Sequence, residues 1–169
     1  IASCLVGSEM CIRDSPLPEH FAVGMVFFPQ DKQKVTVLKN IIQQELEQET
    51  LPAIGWREVP INKSVLGDIA ASSLPWIQQI FIAAPPGWKA KDVERRLFMA
   101  RRRIEKKIND KDFYICSLST QILIYKGLCM PSDLPLFYLD LADIRLQSAI
   151  VLFHQRFSTN LSLIHISEP

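Results

Sequence analysis

The stretch Asp112–Gly127, DFYICSLSTQILIYKG, decides the fold, because two strand-like runs follow each other with almost no connection. Apolar residues recur through both runs and just beyond them: Phe113, Ile115, Leu118, Ile122, Ile124 and Leu128. Strands joined so closely must be antiparallel neighbours, since a parallel pair needs a long crossover connection. The stretch therefore predicts strands over 112–119 and 120–127 in a mixed or antiparallel sheet.

Strand-like and helix-like segments alternate before this stretch. Apolar runs rich in β-branched and aromatic residues predict three further strands: 20–28, 54–59 and 76–83. Asp31 is a typical N-cap for a helix to about Gln48, and further helices are predicted near Gly67–Ala71 and over 91–108. Alternation alone also suits a parallel sheet. The close pair at 112–127 and the absence of a glycine-rich turn after any strand favour an α+β fold.

The two longer predicted helices are amphipathic. In the first, the apolar residues at helical spacing are Val35, Leu38, Ile41, Ile42 and Leu46. Polar residues are expected to cover its wet side: Gln43, Gln44, Glu45, Glu47 and Gln48. In the second, the apolar face consists of Val93, Leu97, Ala100, Ile104 and Ile108. Each helix is therefore expected to bury one face.

The last part of the chain contains a second decisive run. After a loop with a helical turn at 131–143, the segment Ala149–Phe153 has the length and β-branched content of a buried strand. A closing strand is therefore predicted over 147–157.

Arg156 would emerge at the end of that closing strand, where polar residues follow it. Chemistry alone leaves two interpretations open. The guanidinium either forms an ion pair with a neighbouring acid or binds the carboxylate of a ligand in bidentate fashion. Ser158, Thr159 and Asn160 would add hydroxyl and amide groups to such a site.

The composition describes one globular domain of 169 residues, 48% hydrophobic and 22% charged. A net charge of +1 gives no drive toward nucleic acid or a membrane surface, so neither partner is expected. No apolar run is long enough to span a membrane, and no secretory signal is visible. Four cysteines without close pairing favour a reducing compartment, the cytoplasm or, in a photosynthetic eukaryote, the plastid.

No residue in the sequence shows the pattern of a metal ligand or an activated nucleophile. Cys116 lies in a predicted core strand and Cys129 in a loop, and neither has a CxxC partner. Cys116 is interpreted as a small buried hydrophobic residue. His20 and His154 flank strands and are interpreted as structural. The sequence therefore predicts no metal site.

The helix region 89–107 is strongly basic. Its cations are Lys89, Lys91, Arg95, Arg96, Arg101, Arg102, Arg103, Lys106 and Lys107. Two interpretations stay open: a solvated face balanced by the glutamates of 45–49, or a surface that binds an acidic partner. The second would make the chain a non-catalytic α+β binding domain.

Both ends of the sequence look foreign to the fold. Residues 1–15 and 161–169 show no sustained period, and SEMCIRD and LIHISEP resemble translated sequencing-adapter DNA. We interpret 1–15 as a non-native leader and 161–169 as a non-native tail. The native part would be 16–160, and Cys4, Cys11 and His165 would be accidental.

Seven segments of 16–160 together resemble a known family. They are HFAVGMVFFPQ (20–30), GWREVP (55–60), PWIQQIFI (75–82), ERRLFMARRRIE (94–105), FYICSLS (113–119), IYKGL (124–128) and HQRFSTN (154–160). In this order they resemble the glutaminase domain of the glutamate synthase large subunit, a class II glutamine amidotransferase.

The resemblance implies an N-terminal-nucleophile fold, an αββα sandwich with mainly antiparallel sheets, incomplete in this chain. It implies hydrolysis of glutamine to glutamate and ammonia, with the ammonia used to make glutamate from 2-oxoglutarate. Arg156 would bind the α-carboxylate of glutamine, and Phe157, Ser158 and Thr159 would line the pocket. The implied partners are glutamine and the synthase domains of the same parent polypeptide. FMN and an iron–sulfur cluster are implied elsewhere in that parent, and no cofactor in this segment.

The family's catalytic groups have no counterpart in this sequence. Its nucleophile is a cysteine at the mature N-terminus, which would precede residue 16, and its asparagine–glycine oxyanion motif would follow residue 160. Cys4 and Cys11 lack the family's Cys-Gly context. The chain as given is therefore expected to be a partial amidotransferase domain that does not hydrolyse glutamine.

Overall fold

The computed structural model describes residues 21–154, which contain a four-stranded sheet. The strands are β1 (Phe21–Phe28), β2 (Ala53–Glu58), β3 (Trp76–Ala83) and β4 (Tyr114–Ser119), and their order in the sheet is β2-β3-β1-β4. Each neighbouring pair is antiparallel. The α+β class and the antiparallel sheet predicted from the sequence are confirmed.

The helices begin and end close to their predicted positions. They are α1 (Lys32–Gln48), α2 (Asp68–Ser72), α3 (Ala90–Lys107) and α4 (Leu134–Phe137), with 3₁₀ turns at Lys63–Val65 and Leu139–Ala142. The Asp31 side chain accepts hydrogen bonds from the backbone N–H groups of Gln33 and Lys34, which confirms the predicted N-cap.

Helices α1 and α3 pack on one face of the sheet and form the larger core. Its strand residues include Ala22, Val26, Phe28, Ile80, Ile82 and Ile115. The predicted apolar face of α3 is buried along its whole length. Gly24 permits the close approach of β1 to its neighbours, because an added Cβ would lie 2.6 Å from Ile80 Cγ2 and 2.7 Å from Leu118 Cδ1. We name this side the helix-covered face.

The opposite side of the sheet is covered by irregular chain and short helical turns. Its buried apolar residues are Met25, Val59, Ile77, Cys116, Phe137 and Tyr138. The covering segments 59–74 and 123–142 meet at an antiparallel bridge between Ile61 and Tyr138. We name this side the loop-covered face.

The strand predicted over 120–127 does not form in the structure. Side chains accept hydrogen bonds from the backbone N–H groups that would otherwise pair with a neighbouring strand. The Ser119 hydroxyl accepts from Gln121 N and Ile122 N at 3.0 and 3.2 Å, and the Glu94 carboxylate accepts from Thr120 N at 2.6 Å. The apolar residues predicted for this second strand do not form a buried face, because Ile122, Ile124 and Leu128 are exposed.

The closing strand predicted over 147–157 is also wrong in its described part. Residues 147–154 form no strand, and Ile150, Val151, Leu152 and Phe153 are between 64% and 93% exposed. Strands are stable only when neighbouring strands pair with them. Within residues 21–154, no strand pairs with this segment.

Glu45 lies on the buried side of α1, and the prediction that it faces solvent is wrong. Its side chain is fully buried between α1 and α3, although the sequence placed it on the wet side. Cations of α3 surround it, and these supply the partners that a buried carboxylate requires.

Candidate functional site

The residues predicted to bind substrate, Arg156, Phe157, Ser158 and Thr159, lie outside the described residues, which end at His154. His154 itself is exposed. The assignment of Arg156 therefore stays a prediction. Residues 21–154 contain a buried polar cluster, two cysteines, a basic helix and a cavity.

A buried ion pair connects the sheet to the 3₁₀ turn that precedes the predicted substrate-binding residues in the chain. Arg57 of β2 donates from Nη1 to Asp140 Oδ2 at 2.8 Å and from Nη2 to Asp140 Oδ1 at 2.5 Å. Each side chain is about 5% exposed. A bidentate guanidinium–carboxylate pair fixes both distance and orientation. The pair therefore fixes the 3₁₀ turn Leu139–Ala142 on the loop-covered face.

Two more polar side chains extend this pair into a buried cluster. Gln79, the β3 neighbour of Arg57 in the sheet, accepts from Arg57 Nη1 at 2.8 Å, and Tyr125 donates from its hydroxyl to Asp140 Oδ2 at 3.2 Å. Burial, followed by the nearby Asp140 charge, raises the pKa of Tyr125. The tyrosine therefore remains a neutral donor at physiological pH.

The cluster retains hydrogen-bonding capacity. Arg57 Nε and Gln79 Nε2 are buried and have no hydrogen-bond acceptor among the described residues. Charge is balanced, because one guanidinium faces one carboxylate. The arrangement is suited to holding the covering segment in place, and it contains no thiol or imidazole that could act as a nucleophile or base.

The described cysteines do not have the environment of a nucleophile. Cys116 is buried in β4, and burial raises the pKa of its thiol to about 11. Burial also raises the pKa of Cys129, and the Asp133 charge adds to this. A reactive cysteine needs a lowered pKa, because the thiolate is the nucleophile. The interpretation of Cys116 as a buried hydrophobic residue is therefore supported.

The basic helix α3 is partly neutralised by α1, as one of the two interpretations predicted. Arg103 donates to Glu45 Oε2 and Glu49 Oε1, each at 2.7 Å, while Lys107 pairs with Glu45 and Arg96 with Glu49. These cations hold the pKa of Glu45 below its ordinary value, chiefly through the Lys107 hydrogen bond. We name Arg96, Arg103 and Lys107 the inner row of α3.

A cavity of about 560 Å³ opens where β1 ends and β3 and β4 begin. Aromatic and aliphatic side chains line much of it, among them Phe27, Ile77, Tyr114 and Phe137. The Lys126 ammonium lies 4.9 Å from the centre of the Tyr114 ring at this cavity. Its size is that of a small-molecule pocket, and the sequence did not predict it.

The sequence missed the buried polar cluster because its members are far apart in the chain. Arg57 and Asp140 are separated by 83 positions. One local signal existed: Arg57 occupies a strand position between an aromatic residue and Glu58, with its side chain on the opposite face of the sheet from both. Nothing local identified Asp140 as its partner.

Residues 21–154 contain no group of three or more His, Cys, Asp or Glu side chains arranged to hold a metal ion. No helix among them is both long and apolar enough to cross a membrane.

Comparison with known families and proteins gives a consistent match. Residues 7–163 match the family described as glutamine amidotransferases class-II. The chain is 40% identical over 150 residues to ferredoxin-dependent glutamate synthase 2 of Synechocystis, which is 88% of this chain and 10% of that protein.

Two other relatives give nearly the same figures. Identity is 39% over 147 residues to ferredoxin-dependent glutamate synthase 1 of Arabidopsis thaliana, 85% of this chain and 9% of that protein. It is 40% over 148 residues to the glutamate synthase (NADPH) large chain of Bacillus subtilis, 86% of this chain and 10% of that protein. The chain thus spans about a tenth of the length of these relatives.

Proposed function

This chain belongs to the class-II glutamine amidotransferases, as its resemblance predicted, and from that premise we propose that it is part of the glutamine-hydrolysing domain of a glutamate synthase. The observation that carries the proposal is about 40% identity, over more than four-fifths of the chain, to glutamate synthases named for ferredoxin and for NADPH. The domain would release ammonia from glutamine, and the parent enzyme would use it to make glutamate from 2-oxoglutarate.

In this proposal Arg156 binds the α-carboxylate of glutamine, and Phe157, Ser158 and Thr159 line the pocket. A guanidinium suits the task because its planar fork matches both carboxylate oxygens at once. The Arg57–Asp140 pair supports this role indirectly, since it fixes the chain on the sheet 16 positions before Arg156.

The nucleophile is proposed to be a cysteine that this sequence does not contain. Support comes from the raised pKa of Cys116 and Cys129 and from their burial or partial burial. Residues 1–169 alone are therefore proposed not to hydrolyse glutamine. Thiol-dependent ammonia release from the purified chain would contradict this.

The synthase domains of the parent polypeptide are the proposed partners, and they are proposed to hold the FMN and the iron–sulfur cluster. A cytoplasmic or plastid location is proposed with them, because the Arabidopsis relative is named chloroplastic/mitochondrial and the Bacillus relative is bacterial.

The test of the substrate role is Arg156→Lys in the full-length parent enzyme. Lysine keeps the charge but loses the bidentate fork, and a hydrogen bond to a charged group contributes about 1.5–3 kcal/mol. The KM for glutamine should rise roughly tenfold to a hundredfold. Arg145→Lys is the matched control, because Arg145 is half exposed and pairs locally with Asp143. An unchanged KM in Arg156→Lys would refute the assignment.

A further inference from the structure

The outward side of α3 carries a second set of cations that the inner row does not include. Lys91, Arg95, Arg102 and Lys106 recur at intervals of four, seven and four residues, so they form one stripe along the helix. All four are exposed. We name them the outer row.

The outer row differs from the inner row in its charge balance. Arg102 shares Glu105 with Arg101, at 3.1 and 2.8 Å. The other three, Lys91, Arg95 and Lys106, have no ion-pair partner among the described residues. Two acids of α3 lie near the row: Glu94 is bound to Ser119 and Thr120, and the exposed Asp92 lines a groove with Arg95. Four cations against these acids and the shared Glu105 leave the outer row with an excess of positive charge.

Two large apolar side chains lie in the middle of this row. Phe98 is 61% exposed and Met99 is 47% exposed, although the helix buries Leu97 and Ala100 beside them completely. Phenylalanine, methionine and arginine are among the residue types that are enriched at protein interfaces, whereas lysine is depleted there. A groove beside them is lined by Trp88, whose ring lies 4.4 Å from the Arg96 guanidinium. The stripe thus combines cations at its ends with apolar contact area at its centre.

We propose that the outer row of α3, with Phe98 and Met99, is the docking surface for another domain of the same parent polypeptide. The complementary surface would present an apolar pocket ringed by carboxylates. This inference rests on the proposed function, because it requires that the chain is part of a longer glutamate synthase.

The size of the stripe is the reason for choosing a domain of the same polypeptide. It spans Lys91 to Lys106, about 24 Å along a helix about 10 Å wide, so its footprint is a few hundred Å². Stable association of separate proteins buries about 800 Å² on each partner. A covalently linked partner has an effective concentration near the millimolar range, so a smaller contact suffices. Most of the length of the relatives lies outside the matched segment and could supply that partner.

The test is peroxide oxidation of Met99 in the full-length parent enzyme, read by mass spectrometry and compared with the urea-unfolded enzyme. The segment alone leaves Met99 47% exposed, so without docking the rate should be near half of the unfolded rate. Docking should lower it to about a tenth or less. The double reversal Arg95→Glu/Lys106→Glu should raise oxidation about fivefold, because like charges would then face each other.

The matched control is Lys32→Glu/Lys63→Glu, which changes the net charge equally at exposed lysines that are not part of the stripe. It should leave Met99 protected. The inference is overturned if Met99 oxidises near half of the unfolded rate in the native parent, if both double variants act alike, or if protection appears only after DNA or heparin is added.

Glutamine hydrolysis by the same preparation separates the two claims. An active parent with unprotected Met99 refutes the docking surface alone. A parent that protects Met99 but does not hydrolyse glutamine refutes the glutamine-hydrolysing activity, and the docking between domains of one polypeptide stands.

Discussion

The two faces of the sheet are closed in different ways. On the helix-covered face, α1 and α3 lay apolar stripes on apolar strand residues, and the buried carboxylate there, Glu45, pairs with cations that are partly exposed. On the loop-covered face, irregular chain covers the strands, and the bidentate Arg57–Asp140 pair lies among apolar side chains. The helix-covered face is stabilised by many nonspecific contacts, whereas the other depends on a few directional ones.

The difference indicates how each face should fail. Apolar packing is spread over many residues, so one truncation removes only part of it. A buried ion pair concentrates the effect on stability in two side chains, because removing either leaves the other charged and buried. The loop-covered face should therefore be more sensitive to a single polar substitution than the helix-covered face is to a single apolar one.

The largest expected effect is from Asp140→Asn. The substitution removes the charge that compensates buried Arg57, and the expected loss in the free energy of unfolding is about 3–5 kcal/mol. Urea unfolding followed by tryptophan fluorescence measures it. Asp143→Asn is the control, since that carboxylate is 30% exposed and its ion pair is with Arg145, two positions away. Its effect should be much smaller.

If Asp140→Asn does not fold, the double replacement Arg57→Met/Asp140→Leu keeps the prediction testable. Apolar residues of similar size often replace a buried pair without loss of stability. The double variant should recover most of the wild-type stability. Recovery in neither variant, or equal effects of Asp140→Asn and Asp143→Asn, would contradict the role of the pair.

The next effect, on the helix-covered face, is expected from Leu97→Ala. Leu97 is fully buried in α3, and truncation should lower the free energy of unfolding by about 3 kcal/mol through lost burial and a residual cavity. Phe98→Ala is the control on the same helix, because that side chain is 61% exposed. It should change stability by about 0.5 kcal/mol or less. If Phe98→Ala lowered stability more than Leu97→Ala, the assignment of Leu97 to the buried side of α3 and Phe98 to its exposed side would be wrong.

The contrast between the two faces of the sheet also explains which features could be predicted from the sequence. The limits of α1 and α3 were predicted to within two residues, because caps and apolar periods are local signals. The helix-covered face follows from those periods. Chemistry alone left the role of Arg156 open, the family resemblance favoured carboxylate binding, and the assignment stays a prediction.

Apart from the closing strand, the errors involve partners that are distant in the sequence or side chains that replace backbone partners. The period at 120–127 looked like a strand, but Ser119 and Glu94 bind its first backbone donors. Glu45 looked solvated because its cations lie on α3, 58 positions away in the case of Arg103. The Arg57–Asp140 pair had no local signal for the same reason.

The smallest effect tests Glu45, the one charged group among residues 21–154 that is buried on the helix-covered face. Glu45→Gln removes the carboxylate that Arg103 and Lys107 contact, while keeping its shape. Because both cations are partly exposed, solvent screening limits the expected loss to about 1 kcal/mol at pH 7. Urea unfolding measured as a function of pH tests both the size and the sign.

The sign follows from the lowered pKa of Glu45 in the folded protein. Such a carboxylate contributes its stability fully above the pKa of the unfolded chain, about 4.3, and loses it as the pH falls through the lower folded pKa. The difference between wild type and Glu45→Gln should therefore be constant from about pH 6 to 8 and should disappear below that folded pKa. Glu47→Gln, at an exposed position on the same helix, should show no such convergence. A difference that persisted into strong acid would mean that shape, not charge, is what Glu45 contributes to this face.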